Sequence, residues 1–134
     1  MEEKLVAVSS ACDYPRAAAK KENVGRIDEP NIEKIVALEP DLVITESVTK
    51  IEILKRLTEL RIKNIGFKPE TINDTIRMIE DIAYLISAEK AGAKITKNLK
   101  EEYQNLQKLV TEKLENNKRP RVFYQIWSDP LYTA

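Results

Sequence analysis

Residues 30–44 read PNIEKIVALEPDLVI, and the fold is decided there. Pro30 carries the fixed φ that suits a first helical turn, and Ile32, Ile35, Val36 and Leu38 recur at helical spacing. Pro40-Asp41 then breaks the helix. The run LVIT at 42–45 is short and β-branched, as a buried strand requires. A short helix feeding directly into an apolar strand is one half of a parallel crossover unit. On the N-terminal side, LVAVS at 5–9 is another such run, closed by a Cys-Asp-Tyr-Pro turn. On the C-terminal side, Ile51, Ile53, Leu54, Leu57 and Leu60 form a helical stripe, and KNIGF at 63–67 gives a third strand. The order strand, helix, strand, helix, strand predicts a parallel sheet covered by helices.

From Thr71 onward the pattern is helical. Thr71 and Asp74 have the spacing of a capping box, and Ile72, Ile76, Ile79, Ala83 and Ile86 share one face. Ser87 is a second start signal. Residues 88–118 contain no proline and hold a stripe of Ile95, Leu99, Tyr103, Leu106, Leu109, Val110 and Leu114. At about 1.5 Å per residue such a helix would be roughly 45 Å long, longer than a small domain is wide. After Pro120, RVFYQIW at 121–127 reads as a strand and Ser128-Asp129-Pro130 as a turn.

Composition narrows the chemistry. The 134 residues suit one compact core, and 43% hydrophobic with 33% charged residues is a globular balance. No apolar run is long enough to span a bilayer. Lys plus Arg and Asp plus Glu both number 22, so the overall positive field that gathers nucleic acid is missing. With no His and one Cys, an imidazole base, a Cys/His pair, His-ligated zinc and an internal disulfide are excluded. Three glycines cannot make a phosphate-cradling loop. Carboxylates, Lys and Tyr remain for chemistry, and the expectation is of no resident cofactor and no metal site. Residues 1–4 lead straight into the apolar run with no signal-peptide pattern. Either the chain stays inside the cell or its natural start lies elsewhere.

VAVSSACDYP at 6–15, Val24-Gly25, the 30–44 stretch and RVFYQIWSDPLYTA at 121–134 occur in this order. Together they resemble the solute-binding proteins of ABC importers for cobalamin, ferric siderophores and haem. The resemblance covers nearly the whole chain. It implies an α/β, Rossmann-like (chelatase-like) parallel-sheet lobe, then a long connecting α-helix, then an orphan strand. On that basis residues 1–86 are the first lobe without an initial strand and helix, 87–119 the connecting helix, and 120–134 the start of a second lobe whose remainder is expected further on. It implies an extracytoplasmic protein, periplasmic or anchored at the cell surface, that binds a corrinoid, siderophore or haem-like ligand and hands it to an ABC permease. Two rival readings stay open: a fragment of a two-lobed chelatase-like metal-cluster enzyme, against which the lone Cys12 argues, and an interaction module built on the long helix.

Candidate residues follow from position. Asp13 and Tyr14 come directly after a strand, and Glu46 after another, at the sheet edge where open α/β folds bind ligands. Arg26 and Ile27 follow Val24-Gly25 and can reach the same cleft. Each also fits a plainer role, as turn, loop or solvated carboxylate. The resemblance adds Trp127, which would face the cleft, and makes Glu33 a docking contact for arginines of the permease; the helix dipole alone would favour a carboxylate at Glu33. Where cobalamin-binding members carry aromatic residues against the corrin, this sequence has Ala11, Ile27 and Glu46. Cys12 reads as a small buried residue. In the family another strand lies between those resembling 5–9 and 42–45, so open strand edges and the 121–127 strand make a homodimer by strand exchange an expected assembly.

Overall fold

The computed structural model describes residues 2–114, 121–123, 125–128 and 131–133. The chain divides into two compact units, Met1–Met78 and Ile79–Ala134.

In the first unit, β1 (Ala7–Val8) pairs in parallel with β2 (Glu22–Asn23), Ala7 opposite Glu22 and Val8 opposite Asn23. The chain between them crosses over through a single 3-10 turn, Ala18–Lys20. Helix α1 (Ile32–Ala37) follows, capped by the Asn31 side chain, which accepts from the Lys34 amide at 2.9 Å. Strand β3 (Val43–Glu46) pairs in parallel with β4 (Asn64–Phe67) across α2 (Ile51–Glu59). Crossovers of this kind are what parallel strands require. The core gathers on Leu57, fully buried on α2, with Val24 and Ile35, and with Ala7, Val43 and Ile62 packed around them. Of the helix stripes read from the sequence, Ile35 and Leu57 reach this core, whereas Val36, Ile51 and Leu60 stay exposed, as do Ile95, Leu106, Leu109 and Val110 of the long stripe.

Two features differ from that expectation. The strands form separate two-stranded sheets, β1–β2 and β3–β4, rather than one. Strand β2 was not foreseen, because Glu22 and Asn23 are polar and exposed and their pairing depends on a partner distant in sequence.

Helix α3 (Ile72–Leu85) opens with the foreseen capping box: Asp74 Oδ2 accepts from the Thr71 amide at 2.9 Å, and the Asp74 amide donates to Thr71 Oγ1 at 3.1 Å. Within the second unit, Ser87 takes a left-handed φ of 54° and joins α3 to α4 (Glu89–Leu114), 26 residues long. The two helices meet closely enough that a methyl group at Gly92 would collide with Ala83 Cβ. Residues 115–118 of the foreseen long helix lie outside the described residues. Beyond it, Val122 and Phe123 are exposed, and β5 (Gln125–Ser128) pairs antiparallel with β6 (Leu131–Thr133). The strand for which the sequence supplied no partner therefore has one just past its turn.

Candidate functional site

The segments that leave β1, β2 and β3 are the candidate binding edge of the first unit. The turn after β1 is held by the Cys12 amide, which donates to the Ser9 carbonyl at 3.0 Å. Asp13 is exposed, and Tyr14 is 88% exposed, so an aromatic ring stands in solvent. Cys12 is also exposed, its sulfur 3.4 Å from Ser9 Oγ. The expectation of a buried cysteine is corrected: the residue falls in a surface turn, where no core is available to cover it.

The segment after β2 turns at Gly25, whose φ of +99° disfavours any side chain. Asn23 Oδ1 accepts the Gly25 amide at 2.7 Å, and Gly25 bridges to Pro30 across the loop. Arg26 donates twice to Asp28, Nε to Oδ1 at 2.9 Å and a terminal nitrogen to Oδ2 at 2.8 Å. That fork holds the Asp28 carboxyl below its ordinary range and raises the Arg26 guanidinium. The pair is solvated, so its contribution to stability is small. Its consequence is that the planar donor face of Arg26 is already occupied by a carboxylate. Ile27 is partly exposed, and its carbonyl accepts from Thr49 Oγ1 at 3.1 Å.

Glu46 ends β3, and both of its oxygens are engaged. Oε1 accepts from the Ser47 hydroxyl at 2.8 Å and Oε2 from the Val48 amide at 3.0 Å. These bonds, the hydroxyl's first, push the carboxyl below its ordinary range. Glu46 therefore builds the turn that leads into α2.

The three segments are tied together. The Ser10 amide donates to the Gly25 carbonyl at 2.7 Å, and the Lys50 amide to the Asp28 carbonyl at 3.1 Å. Asp13 and Tyr14, Arg26 and Ile27, and Glu46 thus sit on one stitched set of loops. Trp127 lies on β5 in the other unit, and its side chain falls outside the described residues. The sequence reading missed Asp28, Thr49 and Lys50. The alternation of Arg26 and Asp28 was a visible signal for the first; the other two find their partners about twenty residues away.

Glu33 stands apart, exposed on the first turn of α1. With Ile32, Val36, Ala37, Arg56 and Leu60 it lines an open depression of about 530 Å³. Arg56 is paired with Glu59 at 3.1 Å, and Lys34 with Glu22 at 3.2 Å. Among the described residues Glu33 has no ion-pair partner. Among the same residues no group of three or more His, Cys, Asp or Glu is placed to hold a metal ion, and no helix is long and apolar enough to cross a membrane.

Parallel crossover units with exposed loops at their strand ends, followed in the chain by one long helix, make an α/β architecture. Residues 1–133 match the periplasmic binding protein family, and the chain belongs to that family. It is 30% identical over 133 residues to the vitamin B12-binding protein of Vibrio vulnificus, an alignment covering 98% of this chain and 47% of the relative. The crystal structure of the periplasmic vitamin B12-binding protein of Vibrio cholerae superposes with a TM-score of 0.83 at 29% identity, over 96% of this chain and 49% of that one. The periplasmic haem-binding protein of Roseiflexus sp. RS-1 shares the fold, with a TM-score of 0.78 at 20% identity over 96% of this chain and 50% of that one. The chain spans about half the length of the curated relatives it matches.

Proposed function

We propose that this chain is the first lobe and connecting helix of the solute-binding component of an ABC importer, acting outside the cytoplasm on a corrinoid, ferric siderophore or haem-like ligand. It binds and delivers, and it performs no reaction. The observation that carries the reading is the stitched set of loops after β1, β2 and β3, which groups Asp13, Tyr14, Arg26, Ile27 and Glu46. The relatives' vitamin B12 and haem ligands support the ligand class. In this reading residues 1–86 form one wall of a cleft, 87–119 the rigid connector and 120–134 the beginning of the opposite wall, to which Trp127 contributes. Glu33 docks on cationic residues of the permease. Titration of the whole reading frame's product with cyanocobalamin, haemin and a ferric siderophore, followed by absorbance, tests it. Low-micromolar binding of one of them is expected, with much weaker binding by the 134 residues alone; no binding of any by the whole product rejects the reading.

The proposal extends to a homodimer of the 134-residue chain. Its support is the separation of β1–β2 from β3–β4, together with exposed Leu5, Val6 and Ile44 beside open strand edges. Light scattering at low micromolar concentration should give twice the monomer mass, and a strict monomer ends this part of the proposal.

A further inference from the structure

Thr49 is buried, 8% exposed, in a turn whose other residues are exposed or half-buried. Thr49 stands one residue before the N-cap position of α2, which Lys50 occupies, so its hydroxyl is not committed to capping. Helix α2 has no side-chain cap, and the Thr49 hydroxyl crosses to the Ile27 carbonyl at 3.1 Å. The next residue continues the contact: the Lys50 amide donates to the Asp28 carbonyl at 3.1 Å, and Lys50 Nζ reaches Glu29 Oε2 at 2.7 Å. Two consecutive residues thus engage three consecutive residues of the other loop. At the loop's base, the Gly25–Pro30 bridge and the Asn31 amide, which donates to the Val24 carbonyl at 2.6 Å, close its two ends.

We infer that Thr49, with the Lys50 amide, is a latch that fixes the 25–30 loop against the turn after β3 before ligand arrives, so that Thr49 is a positioning residue for Arg26 and Ile27. The inference rests on the ligand edge proposed above. With the carbonyls of Ile27 and Asp28 committed inward, the Arg26 and Ile27 side chains are left exposed. A loop already ordered loses less conformational freedom when it meets a ligand. Removing the hydroxyl leaves the Ile27 carbonyl without its donor, a cost borne locally by the loop.

Hydrogen–deuterium exchange of the free 134-residue chain tests the latch without any ligand, comparing Thr49→Val, which removes the hydroxyl at similar volume, with Thr49→Ser, which keeps it. The valine variant should exchange about tenfold faster across residues 24–31 with α4 unchanged, and serine should restore slow exchange. Unchanged exchange in that loop, equal acceleration in α4, or failure of serine to restore protection would overturn the latch. If the valine variant does not unfold cooperatively, Thr49→Ala is held to the same pattern. In a second arm, the whole reading frame's product is titrated with cyanocobalamin and haemin. A five- to tenfold affinity loss in the valine variant, restored by serine, is expected; undiminished affinity overturns the positioning role. Absence of binding by the unsubstituted protein counts against the ligand edge, while the exchange result still decides the latch.

Discussion

The turn after β3 and the first turn of α1 each present a glutamate, and the two are held in opposite conditions. Glu46 has both oxygens bonded within its own turn. Glu33, on the rim of the α1–α2 depression, has no ion-pair partner among the described residues, while its neighbours Lys34 and Arg56 are each paired elsewhere. A carboxylate whose acceptors are already used is suited to holding a backbone shape. One left open on a surface retains its capacity for an outside partner, and the local pairing of the nearby cations leaves its charge uncompensated. Its place after a strand had suggested ligand contact for Glu46, and the family resemblance implied permease contact for Glu33. The geometry leaves Glu33 available to a partner, and it shifts Glu46 toward shaping the turn beside the loop that carries Arg26 and Ile27.

The comparison breaks most visibly at Glu33. In the whole reading frame's product, Glu33→Arg should reduce permease-dependent uptake by at least tenfold while ligand affinity stays within twofold. The substitution places a cation opposite the proposed cationic contact, so it adds repulsion as well as removing attraction. Glu33 is exposed and makes no ion pair among the described residues, so the stability cost should be confined to the reversed interaction with the α1 dipole, about 1 kcal/mol. Uptake assays in cells paired with titration of the purified protein check both halves. Loss of ligand affinity with unchanged docking would move Glu33 from the docking face to the pocket.

What was legible in the sequence follows the range of the interactions involved. The Thr71–Asp74 capping box, the Ser87 start signal between α3 and α4, and the place of Leu57 within the Ile51 to Leu60 stripe are local, and each was readable, although Ile51 and Leu60 at the stripe's ends are exposed. Strand β2 was not, since Glu22 and Asn23 carry no strand signal and pair only because β1 lies alongside. Strand ends placed Asp13 and Tyr14 after β1 and Glu46 at the end of β3, but what each side chain does there was hidden. The Thr49 hydroxyl meets a backbone carbonyl at Ile27, and a carbonyl has no sequence signature. Arg26 is occupied by Asp28 two residues on, a pairing that spacing allows without requiring. The family resemblance supplied the architecture; only coordinates could distinguish a committed carboxylate from an open one.

The smaller effect belongs to Glu46 and separates a structural carboxylate from a ligand group. Glu46→Gln keeps one acceptor and loses the charge, so it should destabilise the chain by about 1 kcal/mol or less, as expected for one hydrogen bond at a partly solvated site. Its pH dependence identifies the cause. The folded-state carboxyl sits below its ordinary range because of Ser47 and the Val48 amide, and a lowered pKa stabilises the fold only while the group is ionised. That stabilisation is complete above the unfolded glutamate pKa of about 4.3 and is lost as pH falls through the lower folded value. Asp28, Asp74 and Glu80 are depressed as well, so acid denaturation of the parent chain alone cannot isolate Glu46. The difference in unfolding free energy between parent and Gln variant does so, because the other three carboxyls cancel. Denaturant titrations should give a constant difference from pH 7 to about 5.5 that shrinks below pH 4.5. A difference independent of pH would mean that the charge of Glu46 does not hold its turn and would return the residue to the ligand edge.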